Sequence, residues 1–486
     1  MESFDKELKD LSDQRVEHSL SLRKQKINKH ILQRRLGLNN KKYSIKKEEI
    51  IIKEQFKNKQ FQNIIDLLNF TSNILENEQS DINDIKFAIF LLKSTEIKKD
   101  NGEVNNTNII KAISKPFSKY IDNTIIVDEI ITILINFSYY LKMETNLNLL
   151  TSNYLNIYAQ ISKQYFEDDT IFHDLIILLG NLANENTVAQ KIFYQTKLFE
   201  EIFSLVQNPK SPKPKKDICL WFLAIFTKGI QNNNYFIKNI DLFKKLIDIM
   251  LSNFKNEEHI IYCLDSLGNL SDIESMAEYI ISKKELFDFI FENRKPDYYI
   301  LTHKIIANIT SFNENINLYL LQNYKAIPYF LELLESFSSI IKGQILFIIG
   351  NILENKPSKI NEILDKVGII EKVFGFLDSS LVEVLDKALF ILNVLMASLN
   401  NEGIFRLFQK NIHLKLINIL KNDYKREIID KTTDAIIEFL AKDSQDGIIR
   451  QSFIDNGLKE VFSTMILDRN DADIYMKTEE ILKNYF

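Results

Sequence analysis

Six asparagines, Asn136, Asn181, Asn269, Asn308, Asn351 and Asn393, recur at one position of a repeated apolar motif. A carboxamide both donates and accepts hydrogen bonds, so amides held in register can grip the backbone of an extended peptide without reading its side chains. The competing role for these amides is to bond one repeat to the next and never touch a ligand; six in register favour the peptide grip. A second candidate chemistry is electrostatic. The stretch Arg15 to Lys47 holds eleven Lys or Arg residues and one acid, Glu17. Residues 1–47 carry 13 basic against 6 acidic side chains, net +7, which leaves 48 against 60, net −12, on the remainder. Such segregation marks a partner-binding tail, for nucleic acid or an acidic protein. Leu20, Leu22, Ile27, Ile31, Leu32, Leu36 and Leu38 interleave with these charges at near-helical spacing, which predicts a helix basic overall and apolar along one side, the form that suits an acidic protein groove. Gly37 is its stop signal.

The asparagines need helices to carry them. The motif reads as an apolar helix, a small residue, Asn, an apolar residue and a polar turn: LINFS, LLGNLAN, SLGNLSD, IANITS, IIGNILEN and ILNVLMAS. Equivalent slots hold Leu91, Ile225 and Glu438, and the nine slots follow one another at 45, 45, 44, 44, 39, 43, 42 and 45 residues. That period predicts armadillo or HEAT helical repeats. Each repeat is expected to be a three-helix armadillo unit whose third helix carries the slot and stacks on its neighbours. Gly180, Gly268, Ala307 and Gly350 precede their asparagines, where a small side chain permits close helix approach. The Asn ladder is expected to line a concave, electronegative channel.

Composition agrees with an all-α protein. Twelve Gly and seven Pro in 486 residues are too few for a turn-rich β protein, and 45% hydrophobic residues supply a large core. The expected organisation is a basic arm over residues 1–50 and an armadillo domain of nine to ten repeats over 51–486. Cys219 and Cys263 fall inside apolar helical patterns, as buried thiols in a reducing compartment do. The N-terminus MESFDKELKD has no apolar leader region, and no run reaches the 18 apolar residues of a membrane span, so a soluble intracellular protein is expected. No HExxH, GxGxxG, Walker A or nucleophile-elbow motif occurs, and the six histidines lack metal-ligand spacing. An enzyme, a cofactor and a metal are therefore not expected. The basic loop PKSPKPKK, Pro209 to Lys216, is similar to a nuclear-localisation peptide but reads better as a solvated loop entering the next helix.

Three features together resemble the importin-α family. The arm residues LRKQKINKHILQRR, Leu22 to Arg35, resemble its importin-β-binding domain. The slots resemble its armadillo repeats in period and in Asn, and the closing NDADIYMKTEEILKNYF resembles its last helix. The resemblance implies a right-handed superhelical solenoid and a nuclear import adaptor that shuttles between cytoplasm and nucleus. Arg23, Lys24, Lys26, Arg34 and Arg35 would dock importin-β, and Asn136, Asn181, Trp221, Asn269, Asn308, Phe347, Asn351 and Asn393 would bind the basic nuclear-localisation peptides of cargo, with no membrane or nucleic acid as partner. By physics alone, a basic arm tethered to an acidic groove is expected to compete with cargo for it through Arg34-Arg35 and Lys41-Lys42 when no importin-β is bound. The family pairs each Asn with a Trp four residues earlier; here those slots read Thr132, Ile177, Trp221, Asp265, Lys304, Phe347 and Leu389, so the backbone grip survives better than the side-chain grip. Lys304 would repel a basic peptide. The rival reading is a non-transport armadillo scaffold whose arm engages acidic lipid, RNA or cytoskeletal surfaces.

Overall fold

The computed structural model describes residues 63–94, 108–140, 143–230, 240–257, 259–293, 295–336, 338–354, 368–422, 425–443, 447–468 and 472–486. The basic arm and its proposed importin-β contacts, Arg23, Lys24, Lys26, Arg34 and Arg35, lie outside them, as does the boundary expected near residue 50. The described residues form helices and turns, with no strand among them. The chain is an all-α armadillo-type solenoid, as the repeat period predicts.

Nine helices carry the nine slots: α1 (Ile82–Ser94), α2 (Thr124–Tyr140), α3 (Asp169–Ala183), α4 (Lys213–Phe226), α5 (Ile260–Leu270), α6 (Pro296–Thr310), α7 (Ser339–Glu354), α8 (Val382–Ser398) and α9 (Arg426–Ala441). Two compact units divide within α2, one ending at Ile133 and the other beginning at Leu134. The first unit buries Leu68, Ala88, Ile109, Ile113 and Phe117 between α1 and the helices Ile64–Glu76 and Ile109–Lys119. In the second unit the three-helix repeat is explicit. Thr187–Tyr194, Lys197–Gln207 and α4 form one repeat; Glu274–Ile281, Lys284–Glu292 and α6 form another; Glu314–Asn323, Ala326–Leu334 and α7 a third. Slot helices from α3 to α9 pack in consecutive order.

The repeat boundaries are written by caps. Asn186 and Asn313, each five residues after a ladder Asn, accept from the amides of Ala189 and Ile316 and so open the next repeat's first helix. Thr196 does the same for Lys197–Gln207, and Asp168 for α3. Some of the abundant Asn therefore serves as caps. The loop Pro209–Lys216 runs into the first turn of α4, as expected, where Pro214 sits and no backbone donor is needed. Its solvation is corrected in one respect: Lys215 is only 3% exposed, with its ammonium 4.3 Å from the Phe166 ring centre and 3.4 Å from Asp169. Cys219 and Cys263 are buried and unbridged, and burial pushes both thiols up to about 12, which keeps them protonated and unreactive at neutral pH.

His303 on α6 is fixed in the core, its Nδ1 2.8 Å from Gln344 Oε1 and its Nε2 2.8 Å from the Tyr329 hydroxyl. Burial pulls its pKa down to about 4, against the opposing effect of the hydrogen bond that Gln344 Oε1 accepts. The folded state thus resists a proton that the unfolded chain accepts from about pH 6.5 downward. Stability is complete above that pH and falls as pH drops from about 6.5 to 4, by about 3 kcal/mol in all. Urea titrations of the native chain and His303→Gln should show the native chain's relative stability declining across this window. A difference that stays flat from pH 7 to pH 4 would refute the assignment.

Candidate peptide-binding face

The slot helices bring most of the ladder together, and the amides do more than line a face. Asn181 Nδ2 donates to Ser138 Oγ on α2 at 3.2 Å, and Asn269 Nδ2 donates to Thr227 Oγ1 on α4 at 3.2 Å. Asn308 Nδ2 donates to the Gly268 carbonyl at 2.9 Å and to Ser271 Oγ at 3.1 Å, and Asn351 Nδ2 donates to the Ala307 carbonyl at 3.0 Å. Every one of these bonds reaches back to the preceding slot helix. The asparagines staple repeat to repeat, as the competing sequence reading holds, and each amide also has an oxygen and a second N–H. Asn181 Oδ1 is buried with no hydrogen-bond partner, whereas Asn269 Oδ1 accepts from Lys304.

Asn393 departs from this register. Its Nδ2 donates forward, to the Lys431 carbonyl on α9 at 2.9 Å. The neighbouring side chains explain the difference. Leu389, in the Trp slot, is fully buried, and Phe390 instead lies over Gly350, so α8 is turned by about one residue relative to α4 and α6. Asn136 is half-buried on α2, with Ser138 two residues on receiving the Asn181 bond.

The glycines before the asparagines have a role the sequence reading missed. A Cβ on Gly180 would stand 2.5 Å from the Trp221 ring, and one on Gly350 would stand 2.4 Å from the Phe390 ring. A Cβ on Gly268 would stand 3.0 Å from Lys304 Cδ. Each glycine is thus a floor for a side chain of the following slot helix. Trp221, half-buried, forms a shelf over Gly180 beside Asn181. Phe347 is also half-buried, but the Lys387 ammonium already lies 5.8 Å from its ring centre.

Sequence reasoning also missed the hydroxyls that receive the amides. Ser138, Thr227 and Ser271 all stand two residues after a slot, and each donates its own proton to a carbonyl of its helix: Ile135, Ala224 and Gly268, at 2.8, 2.8 and 2.9 Å. The lone pairs left over accept from the next repeat's Asn. The signal was in plain sight as the Ser or Thr of NFS, IFT and NLS.

Acidic side chains on and beside the slot helices are paired by lysines of the same chain. Lys228 pairs with Asp265 at 3.2 Å, and Lys387 and Lys431 both pair with Asp386. Lys442 pairs with Glu438 and donates to the Met396 carbonyl at 2.6 Å, and Lys477 pairs with Asp434 at 2.5 Å. Burial alone would raise the Asp386 carboxyl, but Lys387 and Lys431 hold it below its usual range. Among the described residues no group of three or more His, Cys, Asp or Glu side chains is placed to hold a metal, and no helix is long and apolar enough to cross a membrane.

Comparison with known proteins places this geometry. No family model matches the chain. Over 299 residues it is 22% identical to a probable serine/threonine-protein kinase of Dictyostelium discoideum, a stretch that covers 60% of this chain and 19% of that protein. An engineered protein of known crystal structure matches 86% of this chain and 98% of its own at a TM-score of 0.62 and 15% identity, which establishes the solenoid fold. Designed armadillo repeat proteins, one made for modular peptide recognition and one solved with the peptide (KR)4, each match 50% of this chain at a TM-score of 0.43, with 17% and 18% identity.

Proposed function

We propose that this chain is a non-enzymatic armadillo-repeat adaptor that holds an extended peptide against α3 to α5 and docks to importin-β through its N-terminal basic arm, in the manner of a nuclear import adaptor. One observation carries the peptide-binding half: the half-buried Trp221 ring stands as a shelf over Gly180, the residue before Asn181 on α3. A flat indole accepts the aliphatic stem and the cation of a Lys or Arg, and an amide pairs with peptide backbone. The charge segregation between residues 1–47 and the remainder supports the docking half. Movement between cytoplasm and nucleus follows from the same reading.

A second reading, an armadillo scaffold outside transport, is favoured by Lys304, Lys387 and Lys431, which occupy the later part of the face where a basic cargo would have to lie. Titrating a fluorescent Lys/Arg-rich peptide against the chain separates the two. Trp221→Ala should weaken binding about tenfold, since it removes packing and cation attraction together, and Phe347→Ala much less, because a lysine of the chain already lies near that ring. Equal losses for the two substitutions, or no binding by the intact chain, would favour the scaffold.

A further inference from the structure

Gly180 and Gly268 are equivalent floors on α3 and α5, and the chain furnishes them differently. Trp221 covers the first with an aromatic ring. Lys304, also four residues before its slot, covers the second with its aliphatic stem, and its ammonium donates to Asn269 Oδ1 at 2.6 Å. That oxygen is the acceptor an extended peptide's N–H would use at this step. The remaining partners of the step also come from inside the chain. Asn308 donates to the Gly268 carbonyl and Ser271, and Lys228 pairs with Asp265 at 3.2 Å. Asp272 lies near enough to Lys304 to feel its charge; burial raises the Asp272 carboxyl and the ammonium lowers it. At the Asn181 step no lysine holds the amide oxygen, which is buried without a hydrogen-bond partner.

We propose that Lys304 is a specificity-determining residue that occupies the ladder acceptor between α5 and α6, excludes a Lys or Arg side chain from that position, and so confines cationic side chains of a bound segment to the α3–α5 stretch. The inference rests on the peptide-binding reading above. The segment it fits is basic where it crosses Trp221 and uncharged or acidic where it crosses Lys304. A second ammonium brought beside the first, in a half-buried position, meets like-charge repulsion that the surrounding water screens only in part. The ligand would also have to displace the 2.6 Å bond to Asn269.

The test uses the full chain and fluorescein-labelled (KR)4 as the probe. Lys304→Gln shortens the side chain by one atom, keeps an N–H donor and removes the charge, and is expected to tighten (KR)4 binding about tenfold, with Lys304→Glu tightening it further. Lys283→Gln, at a lysine paired with Asp248 on another helix, should leave affinity within about twofold and serves as the control. If Trp221→Ala weakens (KR)4 but Lys304→Gln changes nothing, the charge barrier is overturned while the groove stands. If none of the proteins binds (KR)4, both readings fall. An independent check needs no ligand and no variant at Lys304. Amine labelling read by mass spectrometry should modify Lys304 at least about tenfold more slowly than exposed Lys197, and Asn269→Ala should release it. Labelling of Lys304 in the unaltered chain as fast as Lys197 would mean that the ammonium is not held on the ladder, and would overturn the proposal.

Discussion

Phe222→Ala is expected to destabilise the second unit by about 3–5 kcal/mol, the cost of deleting a buried aromatic side chain whose surroundings relax only in part. Phe222 is 1% exposed, with its ring centre 6.2 Å from that of Phe193, 6.5 Å from Phe199 and 6.1 Å from Phe226. These rings join all three helices of the fourth repeat, so the truncation opens a cavity at the point where the repeat is held together. Repeats are stabilised by their neighbours, so the damage is expected to spread to the contacts of α3 and α5 with α4. Trp221 is the next residue and the one tryptophan of the chain, so its fluorescence reports directly on this region. Urea unfolding followed at Trp221 should show the full loss, whereas Ile261→Ala, at a side chain 50% exposed, should change stability by less than about 0.5 kcal/mol. A loss under about 1 kcal/mol for Phe222→Ala would mean that the aromatic cluster does not hold the repeat.

The second large effect concerns the arm. Simultaneous replacement of Arg23, Lys24, Lys26, Arg34 and Arg35 by Ala is expected to weaken importin-β binding more than about a hundredfold, since five charged contacts at roughly 0.5–1 kcal/mol each amount to about 3 kcal/mol or more. The solenoid's unfolding midpoint should not move, because the described repeats take their core from within their own helices. Surface plasmon resonance against immobilised importin-β gives the affinity, and circular dichroism the stability. Affinity within threefold of the native chain would remove the main support for the adaptor reading. A fall in both quantities together would instead show that the arm is part of the folded body.

The repeat class was legible in the sequence because a helix that buries one face must repeat its apolar pattern, and the slots preserve that pattern at 39 to 45 residue intervals. The asparagine register was legible for the same reason, as were the buried thiols and the helix that begins at the proline loop. What one residue does with its neighbour forty positions away was not legible. Asn181 and Asn269 are alike in sequence, but one has an unanswered oxygen and the other holds a lysine from the next repeat. Asn393 matches the motif, but α8 is turned by about one residue, which sets Phe390 over Gly350 and sends the amide forward to Lys431. Spacing fixes which helix face a residue occupies. Rotation of one helix against the next decides which atoms meet, and rotation is a compromise among all the side chains packed between them. Lys228, Lys431 and Lys477 stand 37 to 45 residues from their acids in the sequence, and only the packing of helix on helix brings them to Asp265, Asp386 and Asp434. The sequence therefore determined a ladder of helices bearing amides, while the tertiary structure decided that the chain's own lysines fill part of it, because ion pairs and hydrogen bonds depend on distances of a few ångströms that no one-dimensional period specifies.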